Sequence, residues 1–315
     1  MAHFPHFGGG PGGAQLIEHR LATLYLADEV RIGHLGNNGF TKHYHQLIAP
    51  PNAPRAVYGT QPIGVAVGPG GRFDVGDRNN HRVQAFARDG DFVRAWGRQG
   101  TRVGEFREPH DVAADDEFVY VADLWNQRVQ AFDGDGQPMF AITGAPSFSS
   151  PRGLAVHDRR VYVAEAGAGR VTAWDRNGAL VATYGTAGGS ELGHLIEPVD
   201  VAVAPNGDVW VVNSGNNRLE RFAADGRAVG SIPIAGWTGE RLKEVYLAIG
   251  PDGTLYVGDW DAHAVRRFRP DGEELPPLGR DIKEPSGIAL DGDRLLVVSR
   301  GEDVVRVVPL DRAEP

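Results

Sequence analysis

The stretch PIGVAVGPGGRFDVGDRNNHRVQAFARDGDFVRAWG, residues 62–97, decides the fold. It holds four short segments, GVAV, FDVGD, RVQAF and FVRAWG, that are rich in β-branched and aromatic residues and therefore favour β-strands. The pair Asp89-Gly90 separates the last two segments, and such pairs supply the positive φ that two-residue hairpins need. The stretch predicts four antiparallel strands.

The same pattern recurs five more times along the chain. The six units begin at residues 62, 109, 151, 198, 244 and 285, so their spacings are 47, 42, 47, 46 and 41 residues. Every unit begins with proline except the fifth, which begins with Glu244. Four strands in a repeat of roughly 40–50 residues are typical of a propeller blade. We predict an all-β fold, a six-bladed β-propeller of four-stranded antiparallel blades.

The ends of the chain suggest how the ring closes. The sixth unit stops at Asp311, before a fourth strand could form. The segment RAVYGTQP, residues 55–62, resembles the end of a unit, so we expect Arg55 to Gly59 to be the outer strand of the sixth blade. An N-terminal strand there would cover an open sheet edge. We predict a partly flexible extension over residues 1–52 and the propeller over 53–315.

Composition narrows the classes of function. The chain has 315 residues and a net charge of −9, which argues against a nucleic-acid partner. It has no cysteine, which excludes disulfides, thiolate metal sites and cysteine nucleophiles. No run approaches the roughly 18 apolar residues of a membrane span, and no signal-peptide pattern is present. A cytoplasmic location is the default expectation.

The segments VADLWNQRVQAF, VGDRNNHRVQAF and VVNSGNNRLERF resemble the NHL repeat. The resemblance extends from Gln61 to about Leu310 and implies the same six-bladed fold. The family includes RNA-binding and protein-binding modules, sensor domains and a metal-dependent lyase, so the fold does not select a function. The WD40 repeat is the nearest rival, but Trp174-Asp175 and Trp260-Asp261 are isolated matches at different points of the repeat.

One face of such a propeller collects residues of varied chemistry. The residues that follow each starting position share this face with the loop after the second strand, and they converge on the mouth of the central channel. Aromatic walls with a few convergent polar groups are typical of ligand sites. The candidate ligand-binding residues are Arg78, His110, Trp125, Arg152, Asp200, Tyr246, Trp260 and Arg300.

Other polar residues recur in register, which indicates a structural role. Four arginines begin the third strand of their units, and we expect them to bond between strands or blades: Arg82, Arg128, Arg170 and Arg218. Polar residues that end the second strands are predicted to cap turns: Asp77, Asp123, Glu165, Asn213 and Asp259. In the N-terminal extension, His43 and His45 have a spacing known from metal sites.

The family resemblance raises a metal site as an alternative. The amidating lyase of this family places a zinc-binding histidine directly after the starting proline in three blades, and an arginine in the loop after the second strand of its first blade. His110 and Arg78 match one position of each kind, whereas Val199 and Ser286 stand where further histidines would be needed. A catalytic zinc typically has three protein ligands. His110 with Asp111 and Asp200 could instead hold calcium.

Three functions follow from these patterns. We expect a non-catalytic scaffold that binds a protein partner or a small ligand at the channel mouth, with Arg78, Arg152, Trp125 and Trp260 as anchors. The alternative is a metal-dependent lyase or hydrolase that uses calcium or zinc at the same mouth. The third is binding of single-stranded RNA on this face, which the net charge disfavours.

Overall fold

The computed structural model describes residues 30–34, 61–144, 147–237, 244–279 and 281–310. These residues form six four-stranded antiparallel sheets, and each sheet is one blade. The first strand of each blade packs against the first strand of the next, and that of blade 6 returns to that of blade 1. The innermost strands therefore form a closed ring, and the predicted six-bladed propeller is confirmed.

The first three blades have complete four-strand meanders. Blade 1 consists of Pro62–Val67, Phe73–Asp77, Arg82–Phe86 and Phe92–Trp96. Blade 2 consists of Pro109–Ala114, Val119–Asp123, Arg128–Phe132 and Pro138–Ile142. Blade 3 consists of Pro151–His157, Arg160–Glu165, Arg170–Asp175 and Leu180–Tyr184.

The remaining blades follow the same order. Blade 4 consists of Pro198–Val203, Val209–Asn213, Arg218–Phe222 and Ala228–Pro233. Blade 5 consists of Leu247–Ile249, Leu255–Asp259, Ala264–Phe268 and Glu274–Leu278. Blade 6 consists of Pro285–Asp291, Arg294–Ser299 and Val304–Pro309, with Val30–His34 outside them.

Short elements connect these strands. In the loop between blades 3 and 4, Thr186–Ala187 pairs in parallel with His194–Leu195. The 3-10 turns of the described residues are Pro69–Gly71, Arg78–Asn80, Leu124–Asn126, Ser214–Asn216 and Arg300–Glu302. None of the helical segments in the described ranges is long and apolar enough to cross a bilayer.

The outer strand of blade 6 differs from the sequence-based expectation. Val30–His34 pairs antiparallel with Val304–Pro309 and takes the outer position in this sheet. The segment Arg55 to Gly59, which we predicted for this position, lies outside the described residues. A strand from the predicted N-terminal extension thus occupies the outer position that we expected residues 55–59 to fill. His43 and His45 also lie outside the described residues.

The hydrophobic core lies between neighbouring blades. One cluster joins Ala66 and Val83 of blade 1 to Val112 and Val119 of blade 2, with Phe106 from the connecting loop. Similar clusters join the other blades. Full burial of a side chain such as valine or phenylalanine contributes about 1.5–3 kcal/mol. Each blade therefore depends on its neighbours for most of its apolar burial.

The recurring arginines have the structural role that their register predicts, whereas Asp77 and Asp123 pair with these arginines and do not cap the turns that follow them. Arg82 Nε lies 2.7 Å from Asp77 Oδ2, and Arg128 Nε lies 2.8 Å from Asp123 Oδ2. Asp123 also accepts a hydrogen bond at 2.7 Å from the backbone N–H of Arg107, in the loop from the preceding blade. Since both carboxylates are fully buried, each needs such partners.

Candidate functional site

The channel mouth lies on the face that the sequence predicts. The residue before each starting proline has a left-handed backbone, as at Glu108 with φ 60° and Glu284 with φ 51°, and this turns the chain into the innermost strand. The loop after the second strand lies beside it, because Trp260 Nε1 donates a hydrogen bond to the carbonyl of Pro285 at 2.9 Å. Starting residues and these loops therefore surround one opening.

The carboxylate of Glu244, which was not among the predicted site residues, pairs with two arginines at this opening. Arg78 Nη1 lies 2.9 Å from Glu244 Oε1, and Arg300 pairs with Glu244 Oε2. Arg78 Nε donates to Glu108 Oε2 at 3.0 Å. Burial alone would raise the pKa of Glu244, but His110 and the two arginines lower it to about 2. The sequence does give one sign that Glu244 is special: the fifth unit begins with this residue, whereas the other units begin with proline.

His110 lies next to Glu244, and Tyr246 lies next to His110. Both side chains are buried, and Tyr246 Oη lies 2.9 Å from His110 Nδ1. His110 Nε2 lies 3.4 Å from Glu244 Oε1, and a proton on Nε2 faces this carboxylate while Nδ1 accepts from Tyr246. Burial lowers the pKa of His110 more than Glu244 raises it. Burial therefore favours the neutral form of His110.

Arg152 is the cation at the mouth without a complete set of partners. It follows the starting proline of blade 3, and its charge lowers the pKa of His110. Its Nε and Nη1 atoms are buried, and neither has a hydrogen-bond partner among the described residues. Removing a cation from water without pairing it is costly. Arg152 thus differs from Arg78 and Arg300, whose charges Glu244 offsets.

The two aspartates do not belong to this mouth. Asp111 Oδ2 accepts the backbone N–H of Leu154 at 2.7 Å, and Asp200 Oδ2 accepts that of Leu247 at 2.7 Å. Each carboxylate thereby connects its blade to the next. The strand of Leu154 contains a bulge between Pro151 and Leu154, and a bulge leaves backbone groups without their usual strand partners.

Asp111 and Asp200 instead line a cavity of about 240 Å³. Val67, Ala114 and Leu290, from the far ends of innermost strands, line it together with Tyr246, so it extends from Tyr246 away from the predicted mouth. Burial raises the pKa of Asp111 to about 8. Burial, together with the charge of Asp111, raises that of Asp200. The two side chains therefore favour their protonated forms.

These positions do not fit the predicted metal site. Within the described ranges, no three histidine, aspartate or glutamate side chains come together in a way that could hold a metal ion. Asp111 and Asp200 each use an oxygen on a backbone N–H, and His110 faces Tyr246 and Glu244. The set His110, Asp111 and Asp200 is thus not assembled as a ligand set, and calcium or zinc stays a prediction.

The two candidate tryptophans have different surroundings. Trp260 is partly buried, and the Cζ of Arg300 lies 5.1 Å from the centre of its ring. Trp125 is 57% exposed and lines a separate groove of about 330 Å³. The structure brings five of the predicted residues together around Glu244: Arg78, His110, Tyr246, Trp260 and Arg300. Arg152 lies beside them, whereas Asp200 and Trp125 do not join them.

Comparison with known proteins agrees with this architecture. The NHL repeat model matches residues 60–86, 106–132 and 195–222. The chain is 28% identical to peptidyl-glycine alpha-amidating monooxygenase A of Xenopus laevis over 205 residues, a match that spans 58% of this chain and 21% of that protein. The chain thus spans about a fifth of the length of this relative.

Solved structures show the same fold at low identity. A gluconolactonase from Xanthomonas campestris is similar with a TM-score of 0.63 and 17% identity, over 80% of this chain and 87% of that one. A catalytically inactive virginiamycin B lyase from Staphylococcus aureus, with quinupristin, is similar with a TM-score of 0.58 and 14% identity, over 81% and 97%. These neighbours include enzymes, but at such identity the likeness shows the fold alone.

The closed ring of innermost strands and the polar channel define the protein as a six-bladed β-propeller with a charged channel mouth. Within that class, blades 1, 2 and 4 contain the segments that match the NHL repeat model.

Proposed function

We propose that this propeller is a non-catalytic scaffold whose channel mouth binds a small ligand that carries a carboxylate or phosphate group. The observation behind the proposal is that Arg152 Nε and Nη1 are buried and have no partner among the described residues. An oxyanion that accepts from both nitrogens would supply the missing hydrogen bonds and offset the charge.

The neighbouring groups would orient such a ligand without a large rearrangement. Arg78 and Arg300 are held by Glu244, and His110 is held by Tyr246. A mouth whose side chains are already fixed loses little conformational entropy on binding.

The resemblance to NHL propellers supports a binding role in general terms. Such propellers commonly mediate protein interactions, and an acidic side chain of a protein partner would present the same oxyanion. The partly enclosed position of Arg152 favours a small ligand. A flat protein surface would not reach its buried nitrogens without a protruding side chain.

Isothermal titration with acetate and with inorganic phosphate, at constant ionic strength, tests the proposal. We expect saturable binding of one anion per chain, weakened about tenfold or more in Arg152→Gln, because a hydrogen bond to a charged group contributes about 1.5–3 kcal/mol. Arg227→Gln is the matched control, since Arg227 is exposed on a hairpin. Equal affinity in Arg152→Gln, or no saturable binding by the unmodified protein, would contradict the proposal.

The metal-dependent lyase or hydrolase remains the rival proposal, because the chain is similar to an amidating monooxygenase. Its test is the metal content of protein purified without chelator or affinity metal, compared with His110→Ala. About one calcium or zinc per chain that the variant lacks would favour the enzyme. Equal metal content in both proteins would remove His110 from any metal site.

A further inference from the structure

A second groove opens on the mouth face between blades 1 and 2. It has a volume of about 330 Å³ and is lined by His81, Gln99, Arg107, Glu108 and Trp125. Trp125 belongs to the 3-10 turn Leu124–Asn126, in which Leu124 is buried, whereas the indole of Trp125 is 57% exposed. An exposed indole leaves a large apolar face in water, so a ligand that covers it would bind favourably.

Trp125 lies on a fixed turn although its indole is exposed. Its backbone N–H donates to the carbonyl of Arg107 at 3.2 Å, which fixes the turn that carries the ring. Burial alone would raise the pKa of Glu108, but hydrogen bonds from Arg78 and Trp125 lower it. The backbone that carries the ring is therefore fixed, which limits the ordering that a ligand must impose on binding.

A cation and a hydrogen-bond donor adjoin this ring. Arg107 is exposed, and its guanidinium has no ion pair among the described residues, although its backbone N–H is fixed by Asp123 at 2.7 Å. His81 Nδ1 accepts the backbone N–H of Glu108 at 3.0 Å, so the proton of the neutral ring lies on Nε2. By contrast, nearby Arg98 lies 2.9 Å from Glu105.

We propose that this groove binds a small planar aromatic carboxylate. The ring of the ligand would stack on Trp125, and its carboxylate would accept hydrogen bonds from Arg107 and from His81 Nε2. The volume is at the low end of the roughly 300–1,000 Å³ of ligand pockets, which suits one ring and one carboxylate. Glu108 does not repel the anion strongly, because Arg78 offsets its charge at 2.9 Å.

This site differs from the one around Arg152 in both its residues and its ligand class. Arg152 offers two nitrogens to an oxyanion, whereas the groove adds an aromatic surface. Acetate, which has no ring, should therefore prefer the mouth, and an aromatic acid should bind at the groove.

Calorimetric titration with phenylacetate tests this proposal. We expect a dissociation constant on the order of 1 mM for so small a ligand. Arg107→Gln and Trp125→Leu should each weaken binding at least threefold, since the first removes the cation that pairs with the carboxylate and the second removes the aromatic face. Arg227→Gln should leave the affinity unchanged, and so should Arg152→Gln, which separates this site from the mouth.

Two compounds similar in shape to phenylacetate test whether binding depends on the negative charge and on the aromatic ring. Phenethylammonium has the same ring with a positive charge, and cyclohexylacetate has the same charge without an aromatic ring. We expect both to bind at least threefold more weakly than phenylacetate. Equal binding of phenethylammonium, or undiminished binding of phenylacetate by both groove variants, would overturn the proposal, as would the absence of saturable phenylacetate binding.

Discussion

Glu244 at the start of blade 5 pairs with Arg78 of blade 1, and 2.9 Å separates Oε1 from Nη1. The two residues are 166 positions apart in the chain, and blade 6 lies between their blades in the ring. The other oxygen of Glu244 pairs with Arg300 of blade 6. One carboxylate thereby connects three blades at the opening of the channel.

Glu244→Gln should destabilise the fold at neutral pH by about 2–3 kcal/mol, since a neutral amide cannot offset two arginines. The pKa of Glu244 falls from 4.5 to about 2 in the folded protein, so its ionised form stabilises the fold above the ordinary pKa. This contribution is lost as pH falls from about 4.5 toward 2. Urea unfolding at pH 7 and pH 3 measures it, and the difference between the two proteins should shrink at pH 3.

Glu197→Gln provides a control for this prediction. Glu197 precedes the starting proline of blade 4 and is exposed, so we expect a change below about 0.5 kcal/mol at either pH. If Glu244→Gln behaved like Glu197→Gln at pH 7, the network around Glu244 would not stabilise the ring.

Asp111→Asn should change how stability depends on pH. The pKa of Asp111 is raised from 3.8 to about 8 in the folded protein, so the folded state holds a proton that the unfolded state releases. Between about pH 4 and 8 the unmodified protein therefore loses stability as pH rises. Asparagine carries no charge and can still accept a hydrogen bond from the backbone N–H of Leu154. The stability of the variant should therefore fall less over this pH range.

Urea unfolding at pH 5 and pH 9 measures this difference. We expect the variant to gain about 4 kcal/mol relative to the unmodified protein between these two values, while Asp116→Asn at an exposed position should show no such gain. A parallel pH dependence in Asp111→Asn and the unmodified protein would mean that Asp111 is ionised in the fold.

Arg128→Gln tests the structural role of the recurring arginines. Arg128 pairs with the fully buried Asp123 at 2.8 Å, and its Nη2 donates to the carbonyls of Arg102 and Glu105 at 2.7 and 2.8 Å. Removing it leaves a buried carboxylate with fewer partners, so we expect a loss of about 2–4 kcal/mol in urea unfolding. Arg98 is a matched control because it is 76% exposed. Arg98→Gln should change stability by less than about 0.5 kcal/mol.

The repeat predicted the blades because strand pattern and hairpin chemistry are local. An Asp-Gly pair ends a strand in the same way in every unit that contains one. In the first unit, Gly90 of Asp89-Gly90 adopts the positive φ of 96° that such a turn requires. Arg82 and Arg128 could be assigned a structural role because equivalent positions in equivalent blades meet the same neighbours. These parts of the fold follow from the sequence of single units.

The site could be predicted only in part, because its contacts join different blades. Glu244 offsets two arginines from two other blades, and nothing local to its own repeat indicates them. A Cβ on Gly153 would lie 2.2 Å from Asp200 Oδ1, so the glycine makes room for that aspartate. The sequence shows both residues, but only the structure shows that they touch. The position of Val30–His34 was also not predictable, since any extended segment can cover a sheet edge.

Arg152→Met should leave the free protein as stable as the unmodified protein, or stabilise it by up to about 2 kcal/mol. The buried Nε and Nη1 of Arg152 have no partner among the described residues, so the free fold carries an uncompensated cost that methionine removes. A residue that serves ligand binding rather than folding often lowers the stability of the free protein. Thermal unfolding in a buffer without carboxylate or phosphate measures the change. Destabilisation by more than about 1 kcal/mol would instead assign Arg152 a structural role like that of Arg128, and would remove the main support for an anion at the mouth.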